Sequence, residues 1–383
     1  EDMKKIRYIV MMALGVCAIL TGCQELDEAY SNIPIVQTGD ATDITATSAT
    51  LTATVSGNSA DGGLIFLIST SEDMSDAYES ENVQLRNLTS GTTYYYIAIM
   101  RSSDEKHEVR GEMKSFTTLN ILTIASMTYT DWDGTIKKLP QSYKVGMTLQ
   151  DSDGKLYHNQ KISNNGTSWS FPTEYAAGRI TNIASYWPYT DKDYANDGWG
   201  GINVDTYDSY ATTDYLVGEI TKTENNGSKV NINLKHATPR VIFHFSVAED
   251  HTIIKGFITR LNIGYGDKVL PIAGFLDLES AFITGHTFEP YQNDSSIELN
   301  KGEVSDYTFY PLPTYSAGSV TLSLHGSAGI NYQFDVQKEM EIDWKAGQTY
   351  EYEILLEESS ITIGDVVIRE WENNEGGDIT VND

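Results

Sequence analysis

VNINLKHATPRVIFHFSV, residues 230–247, holds two runs of alternating side chains separated by a turn that carries Pro239. In the second run Val241, Phe243, Phe245 and Val247 face one way, while Ile242, His244 and Ser246 face the other. A period of two is the signature of a pleated strand with one buried face. His236, beside the turn, reads as a structural hydrogen-bonding residue rather than a ligand or base, because a ring with one donor and one acceptor suits a strand end. The same alternation recurs at Val320, Leu322 and Leu324, and at Tyr350, Tyr352 and Ile354, where Glu351 and Glu353 take the outward face. Near the N-terminus Ala49, Leu51, Ala53 and Val55 are spaced by Thr50, Thr52 and Thr54. β-branched and aromatic residues at this period favour strands, DG, NNG and SAG sequences supply turns between them, and Gly347 before QTYEYEILL reads as a turn entering a long strand. Helical periodicity is scarce. The expected class is therefore all-β, a chain of sandwiches, and the length of 383 residues calls for more than one domain.

Residues 1–22 stand apart from this pattern. Lys4, Lys5 and Arg7 precede an apolar run over residues 8–20, followed by Thr21 and Gly22. A basic start, a short apolar centre and small residues at the end make an export signal, and the run is shorter than the roughly 20 apolar residues of a spanning helix. Leu20, Thr21, Gly22 and Cys23 resemble the lipobox of bacterial lipoproteins, which implies cleavage between Gly22 and Cys23 and acylation of Cys23. Each buried CH₂ of such a lipid adds about 0.8 kcal/mol of anchoring. Glu25, Asp27 and Glu28, in the linker 23–33, resemble the surface-export signal of lipoproteins in some Gram-negative anaerobes.

With Cys17 lost in the signal and Cys23 acylated, the mature chain has no cysteine left for a disulfide, and domains of this size bury ordinary cores without one. Residues 1–22 carry two acids and three bases, so their removal takes the formal charge from −28 to −29. Such a surface repels nucleic acid and anionic lipid headgroups, which excludes both as expected partners.

Two family resemblances follow. In residues 34–119, Leu88, Gly91, Thr92, Tyr94 and Tyr96 in LTSGTTYYYIAI sit at the spacing of fibronectin type III domains, with KSFTTL, residues 114–119, resembling the last strand. The resemblance implies that Tyr94 is the corner tyrosine whose hydroxyl bonds backbone, with Phe66 where many members carry tryptophan. Beyond residue 120, IASYWPYT (183–190), TTDYLVGEI (212–220) and VNINLKHATPRVIFHFSV occur in the order seen in the fimbrillin family, followed by AGFLDL (273–278), FYPLP (309–313), IDWKAGQTYEYEILL (342–356) and VVIREW (366–371). That resemblance implies two transthyretin-like β-sandwich domains, 120–237 and 238–383, in a pilus subunit that joins other fimbrial subunits by strand exchange. The C-terminal segment offers two strand-like pieces as donors, one with Ile361, Ile363, Val366 and Ile368, the other at residues 379–381. The sequence does not choose between donation and folding back.

No pattern points to catalysis. HExxH, GxSxG and phosphate-loop motifs do not occur, and the seven histidines lack metal-ligand spacing. SDEK at 103–106 meets a bare Ser-x-x-Lys pattern without its companion motifs. DSDGK at 151–155 and TDKDYANDGW at 190–199 are oxygen-rich, but the twelfth positions are Ile162 and Ile202 rather than a closing glutamate, so turn chemistry explains them. No catalytic residue, metal or cofactor is expected. Among the aromatic residues between Trp169 and Tyr215, Trp187 and Tyr189 read as core, whereas Trp199, flanked by Gly198, Gly200 and Gly201, reads as a ring projecting from a loop. The expected role is a non-enzymatic outer-membrane surface lipoprotein acting as fimbrial anchor, tip or accessory subunit in adhesion. The alternative is a surface glycan-binding lipoprotein of a polysaccharide uptake system, with Trp199 as the contact to a host or bacterial glycan.

Overall fold

A computed structural model describes residues 34–57, 62–102, 107–205, 213–223, 228–264, 270–294, 296–314, 317–328 and 332–369, and every regular element among them is a β-strand. Its contacts divide the chain into two units between Ile121 and Leu122. In the first, Gly62–Ser69 and Thr93–Ser102 pair antiparallel, with Phe66 opposite Ala98 and Ile68 opposite Tyr96. Tyr78–Ser80 extends the sheet on one side, while Glu108–Arg110 and Lys114–Thr117 share the far edge of Thr93–Ser102. Ile35–Thr38 pairs with Ala53–Ser56, and Ala49–Thr50 with Gln84–Leu85. The alternating Ala49 and Leu51 enter a core with Phe66, Ile68, Tyr96, Ala98 and Phe116. Tyr94 is buried, and its hydroxyl accepts the Thr89 amide at 2.9 Å. Tyr96 donates to the Gly39 carbonyl at 2.8 Å, and Thr38 Oγ1 accepts the Ala98 amide at 3.1 Å. These bonds satisfy the polar ends of large side chains that would otherwise be costly to bury.

The second unit begins with an eight-stranded sheet. Its order is Ile136–Lys138, Thr123–Thr130, Lys229–His236, Leu216–Lys222, Ile180–Trp187, Lys144–Asp151, Leu156–Asn164 and Trp169–Ser170. Thr123–Thr130 runs parallel to Lys229–His236, while the other pairings are antiparallel. One face buries Ile124, Met127, Val145, Met147, Leu149, Ile183, Ile232 and Leu234. The other packs Ala184, Tyr186 and Val217 against Ile202, Val204, Leu276 and Ile283. Because both faces are covered, Val145 to Leu149 are all buried. Gly146 leaves room for the Tyr186 ring, since a Cβ there would lie 2.0 Å from a ring carbon.

The covering layer departs from the expected cut between residues 237 and 238. Its four strands are Tyr194–Ala195, Gly201–Asp205, Leu270–Asp277 and Phe282–Glu289, so the hairpin at 270–289 returns to pair with Gly201–Asp205. The reason is burial: Leu276 and Leu278 are fully enclosed among first-sandwich side chains, and a period-two pattern says which face is apolar without saying whose core it joins.

The second sandwich stacks two further sheets. Arg240–Val247 lies between Ser305–Phe309, antiparallel, and Thr349–Leu356, parallel. Lys255–Ile263 and Gly318–Ala328 centre the opposite sheet, edged by Tyr332–Ile342 on one side and by Tyr291–Asn293 and Ile297–Asn300 on the other. Val241, Phe243, Phe245 and Val247 all point into the shared core with Leu322, Leu324, Trp344, Tyr350, Tyr352 and Ile354. Fully burying each such side chain contributes about 1.5–3 kcal/mol, and Trp344 adds a hydrogen bond from Nε1 to the Tyr352 hydroxyl at 2.9 Å.

Candidate functional site

The C-terminal edge of the second sandwich is built on Thr349–Leu356. Gly347, at φ 76°, makes the turn into it, and Tyr350, Tyr352, Ile354 and Leu356 are buried. The Tyr350 hydroxyl donates to the Asp343 carbonyl at 2.6 Å and accepts the Lys345 amide at 2.9 Å. Burial pushes the Tyr352 phenol up to about 12. One edge of the strand is filled by Arg240–Val247; along the other the chain folds back on itself. It reverses through a turn in which the Glu357 amide bonds the Ser360 carbonyl at 2.9 Å. The Glu358 carboxylate accepts the Thr252 amide at 3.1 Å and its hydroxyl at 3.0 Å. These bonds hold the Glu358 carboxyl below the usual glutamate range.

Two short strands then pair with opposite ends of Thr349–Leu356. Ile361–Ile363 lies against Ile354 to Leu356, and Val367–Arg369 against Thr349 to Glu351, with the Gly364 amide bonded to the Glu353 carbonyl at 2.9 Å between them. Of the four predicted donor residues, Ile361 is 2% exposed and Ile363 packs partly against the core. Val366 and Ile368 are 39% and 48% exposed, and Val367 is exposed too. Val367–Arg369 is held by its backbone bonds and by Arg369, whose Nε and Nη2 donate to the Glu351 carboxylate at 3.0 and 3.1 Å. The second donor piece at 379–381, like Gly22, Cys23 and the SDEK stretch, lies outside the described residues.

A second constellation forms around His236. Its Nδ1 lies 2.8 Å from Asp214 Oδ2, and Thr238 donates to the other carboxylate oxygen at 3.2 Å. Trp132 stacks on the imidazole at 3.6 Å between centroids, and the Arg240 guanidinium sits 5.0 Å over the Trp132 ring. Asp131 bonds Lys137; burial alone would raise its carboxyl, but Lys137 and the Trp132 amide bring it below the usual range. Burial raises the Tyr129 and Tyr310 phenols, Asp131 and Asp214 adding to it. His236 thus bonds Asp214 through Nδ1, while its buried Nε2 has no hydrogen-bond partner among the described residues. Asp214 sits in the TTDYLVGEI segment and Tyr310 in the FYPLP segment, both family-like stretches, but neither is marked as a partner of His236, and Trp132 stands in TDWDGT, where the DG pair signals only a turn.

Trp199 does not project freely. It is half-buried and packs with Tyr194 against the core between the two layers of the first sandwich. Gly200, at φ 81°, turns the chain so closely over the Tyr194 hydroxyl that a Cβ would lie 2.0 Å from it. In the DSDGK turn, Asp151 Oδ1 accepts the amides of Asp153 and Lys155 at 3.1 and 2.8 Å. Among the described residues no helix is long and apolar enough to cross a membrane.

Comparison with solved structures finds a candidate cell adhesion protein from Bacteroides ovatus, at 14% identity over 67% of this chain and 99% of that one, with a TM-score of 0.49. A fimbrial protein from Bacteroides vulgatus matches at 14% identity over 66% and 99%, with a TM-score of 0.47. Candidate polysaccharide binding proteins from Bacteroides thetaiotaomicron match at 13% identity over 66% and 96%, with a TM-score of 0.41. No curated protein matches the chain. The fimbrillin-like family model matches residues 141–371, more than half of the sequence, from the strand Lys144–Asp151 to just past the C-terminal edge. This protein belongs to the fimbrillin-like family.

Proposed function

We propose that the protein is a surface-exposed outer-membrane lipoprotein, tethered through Cys23 after cleavage behind Gly22, and that it serves as the anchor, tip or accessory subunit of a fimbria. The fibronectin type III-like module, residues 34–119, spaces the fimbrillin-like body from the lipid. The body joins neighbouring subunits by strand exchange, and the donor is the chain from Val366 onward rather than the whole segment from Ile361.

Family membership carries the reading, and the division of the C-terminal edge supports the choice of donor. Ile361 is already enclosed in its own core, so removing it would empty a site that costs about 2–5 kcal/mol to vacate. Val366 and Ile368 expose apolar surface at home and would gain burial in another subunit's open edge, where backbone donors and alternate side chains are satisfied together. A subunit cut near residue 120 would shed the spacer and the tether, which suits a repeating shaft but not an anchor.

Mass spectrometry of terminal peptides from sheared, purified fimbriae tests the assignment. An acylated peptide beginning at Cys23, in low abundance relative to the polymer, is expected. Abundant polymer whose chain starts near residue 120 would overturn the anchor, tip or accessory role.

A further inference from the structure

On the outer face of the C-terminal sheet, charged side chains and one histidine stand in a row across four strands, of which the assembly reading uses only the Arg369–Glu351 pair. Asp306 lies on Ser305–Phe309, His244 on Arg240–Val247, Glu351 and Glu353 on Thr349–Leu356, and Arg369 on Val367–Arg369. The row follows from the pleat: Val241, Phe243 and Phe245 fill the core, so His244 turns outward between the strands on either side. Register sets Asp306 directly opposite it on one side and Glu353 on the other. Its Nδ1 lies 2.7 Å from Asp306 Oδ1, and its Nε2 lies 4.0 Å from Glu351 Oε2. That same Oε2 accepts Arg369 Nη2 at 3.1 Å, while Oε1 accepts Nε at 3.0 Å. Imidazole and guanidinium thus approach one carboxylate from the two strands that flank it. The His244 and Glu351 side chains are 20% and 19% exposed, which limits screening by solvent and salt.

Charge decides how these groups act together. Histidine is the side chain that ordinarily changes charge between about pH 5 and 8, whereas carboxylates and guanidinium keep theirs. With a neutral ring, Arg369 has no rival for Glu351 from that side. A proton on the ring places a second positive charge beside the same carboxylate. Nε2 then donates toward Oε2 in competition with Arg369 Nη2, and the two cations repel across it. Both effects act against Arg369. The other charged groups facing the ring are Asp306 and Glu353; on its own strand, Arg240 donates Nε to Thr349 Oγ1 and lies over Trp132. Val367–Arg369 is the strand sensitive to this change, because Val367 and Ile368 are half-exposed and leave Arg369 as its side-chain fastening, while Ile361 is buried in the core.

We propose that His244 is a pH-responsive release for the strand Val367–Arg369: its protonation loosens Arg369 from Glu351 and frees that strand from Thr349–Leu356, while Ile361–Ile363 stays paired. A part for this release in assembly rests on the donor reading above; the loosening itself belongs to the single subunit. Amide hydrogen exchange of the full-length, unassembled protein at about pH 5 and about pH 8 tests it, each rate expressed as protection relative to intrinsic exchange. Protection over Val367–Arg369 should fall roughly two- to fivefold at the lower pH, the size of effect one partly exposed ion pair supports, with no fall over Ile361–Ile363. His244→Gln, which keeps a polar side chain without the charge, should remove the pH dependence. Should that variant misfold, Arg369→Gln, which removes the cation being displaced, is expected to lose the pH dependence as well. Equal protection at both pH values in the unaltered protein, a matching fall over Ile361–Ile363, or an undiminished fall in either variant would overturn the proposal. The readout involves no fimbria, so its failure is distinct from failure of the donor reading.

Discussion

Ile361–Ile363 and Val367–Arg369 pair with the same strand, on the same edge, a few residues apart, yet they are held in different ways. The first sends Ile361 into the core and is fastened at its turn by Glu358 on Thr252. The second offers the backbone ladder and a partly exposed Arg369–Glu351 pair, with its apolar side chains left in solvent. Backbone bonds exchange for water at a net gain of only about 0.5–1.5 kcal/mol each, whereas a buried isoleucine is costly to lose. An edge strand can therefore be fixed at one end and exchangeable at the other, a difference set by side-chain burial rather than by pairing.

The largest effect should come from breaking the fixed end. Ile361→Ala should destabilise the second sandwich by about 2–5 kcal/mol, seen as a lower urea midpoint with little change elsewhere. Arg369→Ala should cost at most about 1 kcal/mol, the upper range for an exposed ion pair, and the difference should fade at high salt. Acid tests the turn between the two strands. The Glu358 carboxyl is held below its ordinary value of 4.5, so its contribution is present above that value and is lost as pH falls through the lower folded value. Glu358→Gln should consequently lower the thermal midpoint at neutral pH and converge with the unaltered protein in acid. The smallest stability effect, within about 0.5 kcal/mol, is expected for Ile368→Ser; the same change should still reduce recovery of the subunit with fimbriae.

Much of this arrangement was legible where one face of a strand is buried and the other is not. Val241 to Val247, Val320 to Leu324 and Tyr350 to Ile354 announce their inward faces by alternation alone. What the pattern withholds is partnership across distance. Leu270–Asp277 looks like any half-buried strand, and only the enclosure of Leu276 and Leu278 beside Ile202 and Val204 assigns it to the first sandwich. The parallel pairing of Arg240–Val247 with Thr349–Leu356 spans more than a hundred residues and has no local marker. The His236 constellation was half visible: Asp214 stands in a segment noted before His236, while Trp132 reaches the imidazole from a turn whose composition predicts only a turn. Trp199 failed in the opposite direction. Its glycine neighbours suggest freedom, but in the fold Gly200 permits a close approach to Tyr194 that tucks the indole against the core.

The central claim is that the end of the edge from Val366 onward leaves Thr349–Leu356 during assembly. Glu351 and Val367 lie directly opposite each other, at the separation a cross-strand disulfide accepts, and mature Cys23 carries lipid in the proposed reading. A subunit bearing Glu351→Cys and Val367→Cys, oxidised before assembly, should be excluded from sheared fimbriae and recovered in them once reduced. Incorporation of the locked subunit at the unaltered level would contradict the account.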